Sequence, residues 1–120
     1  MLINGNFNTS NSDLTNIQAE FCAAVGDPSR VKIVYSLAEG SSNVKSLAES
    51  IGLSSSATSR HLKILRDRGL VRASRQGHTV EYSLAAPELI TALDIFLDIL
   101  NNQLAHRASL VQLERYDEEQ

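Results

Sequence analysis

The stretch "LSSSATSRHLKILRDRG", residues 53–69, places a run of serines directly before a basic segment that ends at a glycine. If this segment is helical, at about 100° per residue, its side chains divide into a polar, cationic face and an apolar face. The polar face carries Ser55, Ser56, Ser59, Arg60, Lys63 and Arg66. The apolar face carries Ala57, Thr58, His61, Leu62, Ile64 and Leu65. This division predicts a helix over about residues 55–68 that packs on a core and presents hydroxyl and cationic groups to a partner.

The serines at the start of this helix suit an anionic partner. Ser54 is placed to cap the helix, because a serine hydroxyl accepts a hydrogen bond from a free backbone N–H group. The helix N-terminus also carries a partial positive charge that favours phosphate. Capping explains one serine, and the other three are placed to bind phosphates or base edges. Ser54, at the start of the helix, is expected to contact DNA as well. Arg60 suits guanine in the major groove, and Lys63 suits the phosphate backbone.

Positive charge is concentrated in this part of an otherwise acidic chain. Residues 60–75 hold six basic residues and one acid, Asp67, whereas the rest of the chain holds five basic and thirteen acidic residues. A local basic patch is typical of proteins that bind a polyanion. The alternative is a solvated helix face with no such partner.

The flanking sequence predicts a mainly α fold with a small β-hairpin, arranged as a winged helix-turn-helix. Asp27 and Pro28 are predicted to cap and start a second helix. The segment before the serine-rich helix predicts a short helix that ends at Gly52, which gives helix, turn and helix. Period-two alternation over residues 70–84 then predicts two antiparallel strands around a basic tip. The predicted helices span about residues 14–25, 28–40, 44–51, 55–68 and 87 to beyond 106.

The predicted organisation is one domain that both binds DNA and dimerises. We expect a flexible arm over residues 1–12, the winged helix-turn-helix over 13–106, and a helix end with an acidic tail over 107–120. Asp13 is expected to cap the first helix. The first and last helices carry more apolar surface than one small domain needs to cover, which predicts a homodimer. The predicted interface consists of Ile17, Phe21, Leu89, Leu93, Phe96, Leu97 and Leu100.

The composition argues against several other classes of protein. No apolar run approaches the ~20 residues that span a bilayer, and the N-terminus lacks a secretory pattern, so we expect a cytoplasmic protein. Cys22 is the one cysteine, which excludes an intramolecular disulfide, and we expect its thiol to be buried. No nucleophile–base pair or glycine-rich phosphate loop is present, and Asp94 and Asp98 suit a solvated face better than acid–base catalysis. We therefore expect no enzyme activity and no cofactor.

Three segments, "AVGDPSRVKIVYSL", "LAESIGLSSSATSRHLKILRDRGLV" and "RQGHTVEYSL", resemble successive blocks of the ArsR/SmtB family of bacterial transcriptional regulators. The resemblance covers about residues 21–84 and includes "D-P-x-R" at the second helix and "S-x-x-S-R-H-L-x-x-L" in the recognition helix. It implies a homodimeric repressor that binds a palindromic operator on double-stranded DNA and leaves when an inducer arrives. On matching positions, the base or phosphate readers are Ser55, Ser56, Ser59 and Arg60, and the wing tip is Gln76, Gly77 and His78, with Arg75 beside it.

The metal-ligand patterns found in that family are missing from the matching positions. The helix before the recognition helix has no cysteine, and Asp94-Ile95-Phe96 puts phenylalanine where a ligating histidine belongs. His106 is one position from the next ligand site, which turns its side chain by about 100°. We therefore expect no zinc or arsenic site. His61, on the apolar face, is expected to be a partly buried, hydrogen-bonded structural residue.

Other readings of the sequence stay open. One is a metal-responsive sensor that uses Asp94, Asp98 and His106, and another is a thiol-responsive sensor that uses Cys22. A third is a dimeric winged helix that binds proteins and has no operator. The sequence does not identify an inducer.

Overall fold

A computed structural model of the chain describes the backbone of residues 11–119 and the side chains of residues 12–112. The arm predicted over residues 1–12 therefore lies almost entirely outside the described residues. Five helices and one hairpin follow in the order α1 (Asn11–Ala24), α2 (Pro28–Ala38), α3 (Val44–Ile51), α4 (Ser55–Asp67), β1 (Val71–Gln76), β2 (Thr79–Leu84) and α5 (Glu88–Glu119). Contacts divide the chain into two compact units, residues 1–86 and 87–120.

The start of α2 follows from a predicted cap. Asp27 has extended backbone, and its side chain accepts hydrogen bonds from the backbone N–H groups of Ser29 at 2.8 Å and Arg30 at 3.3 Å. Pro28 occupies the first turn, where its missing N–H group has no helical partner to lose. The predicted cap and the predicted first residue of α2 are therefore confirmed.

Helices α3 and α4 form the helix-turn-helix. Asn43 caps α3 by accepting from the Ser46 N–H group at 2.8 Å, a cap that the sequence analysis did not identify. Gly52 ends α3 with φ at 75°, a left-handed conformation that glycine adopts without steric cost. Ser54 then caps α4 by accepting from the Ala57 N–H group at 3.1 Å, as predicted. Because both ends of the turn are fixed locally, the sequence predicted these bounds to within a residue.

The core of the first unit lies between α2, α3, α4 and the start of β1. Apolar side chains at helical spacing on each of these helices are removed from solvent, which is the main favourable term in folding. The buried residues among those described are Ala24 at the end of α1 and Ile33, Val34, Leu37, Leu47, Ala48, Thr58, Leu62, Leu65, Leu70 and Val71. Ile64, predicted on the apolar face of α4, is 39% exposed because it lies at the edge of that face.

The wing is the antiparallel pair β1–β2, in which Val71 pairs with Leu84 and Gln76 with Thr79. Tyr82 pairs with Ala73 within the hairpin and also bridges to Ser42, just before α3. The Ser42 N–H group donates to the Tyr82 carbonyl at 3.0 Å, and the Tyr82 N–H group donates to the Ser42 carbonyl at 2.8 Å. This bridge joins the wing to the helix-turn-helix.

The first and last helices differ from their predicted bounds. α1 begins at Asn11, so Asp13 lies in its first turn and does not cap it. Asn, Ser and Asp residues follow one another here, and each of these types can cap a helix. α5 continues to Glu119, well into the predicted acidic tail. Among the described residues, no helix combines the length and the apolar character that a membrane span requires.

Candidate nucleic-acid interface

The polar face of α4 is the candidate contact surface. Its six predicted side chains are all exposed: Ser55, Ser56, Ser59, Arg60, Lys63 and Arg66. On the opposite face, Thr58, Leu62 and Leu65 are buried completely. Burial of one face therefore fixes the orientation of the helix and directs the hydroxyl and cationic groups outward.

A groove of about 330 Å³ runs along this face. Its lining brings together Ser56, Ser59, Arg60, Lys63, Arg66 and Tyr82. Five of the six predicted polar residues of α4 therefore line one groove, whereas Ser55 does not line it. Tyr82 from β2, which was not predicted from the sequence, also lines it. Alternation along β2 could have placed Tyr82 on the same sheet face as Val80 and Leu84, but its approach to α4 depends on how the hairpin packs.

One carboxylate lies beside this cationic surface. The Lys63 Nζ atom is 2.9 Å from Oδ2 of Asp67, one turn further along α4. This hydrogen bond holds the pKa of Asp67 below its usual value, and partial desolvation opposes the shift. Both side chains are well exposed, so the pair is weak and Lys63 can exchange it for a phosphate.

Arg68 has a different role from the arginines on the polar face. Its Nη1 atom lies 3.7 Å from Oε2 of Glu20 on α1. In this long, exposed ion pair, the guanidinium of Arg68 faces Glu20, and Arg68 is not among the residues that line the groove. Arg68 therefore contributes to the basic character of the segment without lining the groove.

The predicted wing tip is formed by a two-residue turn. Arg75, Gln76, Gly77 and His78 are all exposed. Gly77 has φ at 65°, which the tight turn requires and which L side chains rarely adopt. The Thr79 hydroxyl donates to the Gln76 carbonyl at 3.0 Å and braces the turn. These residues expose polar and cationic groups to solvent and do not line the groove along α4.

His61 is part of a structural contact. It is partly buried, and its Nδ1 atom lies 3.3 Å from Nη1 of Arg30. The same guanidinium donates from Nε to the Ala24 carbonyl and from Nη2 to the Ala23 carbonyl at 3.3 Å. These bonds join the end of α1, the start of α2 and the middle of α4, and they agree with the structural role predicted for His61.

Asp27 belongs to the same arrangement. Partial burial acts to raise the pKa of Asp27, but hydrogen bonds from the backbone of Arg30 and Ser29 outweigh it and lower the pKa below the usual value. The nearby positive charge of Arg30 and the ring of His61 act in the same direction. The "D-P-x-R" motif therefore consists of a helix cap, Asp27, and an arginine, Arg30, whose hydrogen bonds connect α1, α2 and α4.

The other candidate sites are not assembled. Within the part of the chain that the structure describes, no three histidine, cysteine, aspartate or glutamate side chains cluster as metal ligands, and this includes Asp94, Asp98 and His106. The prediction of a buried Cys22 is wrong for the single chain, because Cys22 is exposed. Only Ala24 of α1 is fully buried among its described side chains, so the helix directs Cys22 outward.

Comparisons with known proteins agree with this geometry. Residues 27–73 match the family described as "Bacterial regulatory protein, arsR family". The HTH-type transcriptional regulator Rv0081 of Mycobacterium tuberculosis is 34% identical over 100 residues, which cover 82% of this chain and 88% of that protein. The nodulation protein NolR of Rhizobium meliloti is 37% identical over 83 residues, which cover 69% of this chain and 68% of NolR.

Solved structures extend the similarity to the fold. The crystal structure of Rv0081 has a TM-score of 0.73 at 33% identity and covers 83% of this chain and 99% of that one. The Mycobacterium bovis protein Mb0332, described as a homodimeric winged helix-turn-helix DNA-binding domain, has a TM-score of 0.72 at 25% identity, covering 82% and 94% of the two chains. The chain belongs to the ArsR family of bacterial regulatory proteins and is a winged helix-turn-helix transcriptional regulator.

Proposed function

We propose that this regulator recognises its DNA site by inserting α4 into the major groove. The observation that carries the proposal is the division of α4 into one face that is buried at Thr58, Leu62 and Leu65 and an opposite, exposed face of hydroxyl and cationic groups. Ser55, Ser56, Ser59 and Arg60 occupy the first half of the helix, the part of a recognition helix that meets base edges. Lys63 and Arg66 follow and contact phosphates.

Contacts outside α4 position the protein on the duplex. Ser54 already accepts a hydrogen bond at the helix N-terminus, and the N–H groups there favour a phosphate. Arg75, Gln76, Gly77 and His78 at the wing tip contact the adjacent minor groove or its phosphates. The first half of α4 therefore reads the bases. The phosphate contacts fix the position of the protein along the duplex.

The proposal includes a homodimer. Large apolar side chains are exposed on α1, namely Ile17 and Phe21, and separately along α5. Exposed apolar side chains of this size on a helix face mark an interaction surface. The predicted interface residues of α5 are exposed at Phe96, Leu97 and Leu100 and partly exposed at Leu89 and Leu93. The homodimeric state stated for Mb0332 supports the same assembly here.

A two-fold dimer determines the form of the DNA site. Two recognition helices related by the two-fold axis read half-sites about one helical turn apart, roughly 34 Å, so the site is a palindrome. A dimer bound across a promoter excludes polymerase, which makes repression the expected outcome. The remainder of the chain is acidic, which disfavours other orientations on DNA.

The experiment is a fluorescence-anisotropy titration of the full chain against a duplex selected in vitro from a randomised pool. The proposal expects a palindromic selected sequence, tight binding relative to a scrambled duplex, and affinity that falls steeply with salt. Selection that yields no preferred sequence, with equal affinity for both duplexes, would reject it and favour a winged helix that binds proteins.

A further inference from the structure

Tyr82 lies where the wing meets the recognition helix. It is on β2, is half-buried, and lines the groove along α4 with five residues of the polar face. In the hairpin register Val71 pairs with Leu84 and Ala73 with Tyr82. Residues alternate between the two faces of a strand, so Tyr82 shares the sheet face of Val71, which is buried against the core. The strand therefore directs Tyr82 toward α4.

The backbone of Tyr82 is held from both sides. One edge of β2 pairs with β1, and at Tyr82 the other edge exchanges two backbone hydrogen bonds with Ser42, at 2.8 and 3.0 Å. Ser42 immediately precedes the cap of α3. Tyr82 is thus fixed relative to the helix-turn-helix before any DNA binds, and contacts that are organised in advance cost less on binding.

The chemistry of the groove selects an anion. Its lining combines the hydroxyls of Ser56 and Ser59 with the cations Arg60, Lys63 and Arg66. Among the described residues, no carboxylate lines it. The hydroxyl of a tyrosine is a hydrogen-bond donor, and it donates readily to a phosphate oxygen.

We propose that the Tyr82 hydroxyl donates a hydrogen bond to a DNA phosphate and seats the sugar–phosphate backbone between the wing and α4. The inference rests on the proposed function, since it requires α4 in the major groove. A strand that flanks a recognition helix meets the backbone at the edge of that groove, whereas base edges face the N-terminal part of the helix. Tyr82 is therefore a positioning contact with no sequence preference.

The test compares Tyr82→Phe with the matched variant Tyr35→Phe. Tyr35 lies on α2 and lines a separate groove with Val31 and Ser50. Both changes remove one hydroxyl and retain the ring. Affinity is measured by anisotropy for the selected duplex and for a scrambled duplex at low salt, and thermal melting of each variant checks the fold.

The proposal expects Tyr82→Phe to weaken binding to both duplexes about ten-fold, the loss of one hydrogen bond to a charged group. The dependence on salt should stay unchanged because no charge is removed, and Tyr35→Phe should bind as the wild type does. Wild-type affinity for Tyr82→Phe, or a loss confined to the selected duplex, would overturn the phosphate contact while leaving the proposed function intact. A wild-type protein with no preference for the selected duplex would reject the proposed function itself.

Discussion

The Nη1 atom of Arg30 lies 3.3 Å from Nδ1 of His61, which links the start of the second helix to the recognition helix. A guanidinium can only donate, so Nδ1 is the acceptor in this contact. The same guanidinium donates to the carbonyl groups of Ala23 and Ala24 at the end of α1. The hydrogen bonds of Arg30 therefore help to set the orientation of α4, together with the burial of its apolar face.

Arg30→Ala should lower the free energy of unfolding by about 1–3 kcal/mol, because it removes several hydrogen bonds from carbonyl and ring acceptors. Arg68→Ala is the matched control, since its ion pair with Glu20 is long and exposed, and it should cost less than about 1 kcal/mol. Urea denaturation followed by circular dichroism measures both. Equal losses of unfolding free energy in the two variants would contradict the proposed stabilising role of the Arg30 hydrogen bonds.

Asp27 should make stability depend on pH in acid. Its pKa is lower in the folded protein than in the unfolded chain, so its stabilising contribution is complete above the unfolded pKa and is lost as the pH falls through the folded one. Asp27→Asn keeps an amide oxygen as a cap and removes this titration. The stability difference between wild type and Asp27→Asn should shrink as the pH falls below about 4, whereas a difference that is constant from pH 7 to pH 3 would be the contrary result.

Thr58 carries a buried hydroxyl with no hydrogen-bond partner among the described residues. Thr58→Val replaces that hydroxyl with a methyl group of similar shape and should stabilise the protein by about 1 kcal/mol. Thr79→Val is the control, because the Thr79 hydroxyl donates to the Gln76 carbonyl, and it should be neutral or slightly destabilising. Thermal unfolding of both variants measures the difference, and destabilisation by Thr58→Val would show that its hydroxyl is satisfied.

Leu97→Glu should dissociate the proposed dimer. Leu97 is 48% exposed and lies on one stripe of α5 with Leu93, Leu100 and Leu104, at a spacing of three to four residues. A glutamate there would have to be buried without a partner in the dimer. Ile95 is 57% exposed on the opposite side of the same helix and provides the control.

Sedimentation velocity at several protein concentrations distinguishes the two variants. Ile95→Glu should sediment as the wild-type dimer does, and Leu97→Glu should sediment as a monomer and lose affinity for a palindromic duplex. A dimeric Leu97→Glu protein would contradict the predicted interface.

The sequence predicted the helix-turn-helix closely because its boundaries are determined by local chemistry. Asp27, Gly52 and Ser54 act within a few residues of their own positions, and the structure places each in its predicted role. The separation of α4 into two faces was equally predictable, since it depends only on helical geometry. The exposure of Ile64 does not follow from helical geometry alone. A residue at the edge of a helix face is buried or exposed according to the side chains that pack around it.

The remaining features depend on packing or lack a local signal. No glycine or proline follows Pro87, so nothing in the sequence indicated where α5 ends. Cys22 was expected to be buried because of its residue type, but its position on α1 decides its exposure. Tyr82 joins the groove through the docking of the hairpin and the bridge to Ser42, neither of which a single sequence displays.

The central claim is that the exposed face of α4 reads DNA, and Arg60→Ala tests it most directly. Anisotropy titrations would compare this variant with Lys32→Ala, which removes the same charge from an exposed position on α2. Arg60→Ala should reduce affinity for the selected duplex about ten-fold to a hundred-fold, consistent with the loss of a bidentate base contact. It should also relax the sequence preference, while Lys32→Ala should bind as the wild type does. Equal affinities for the two variants would show that the contact surface lies elsewhere.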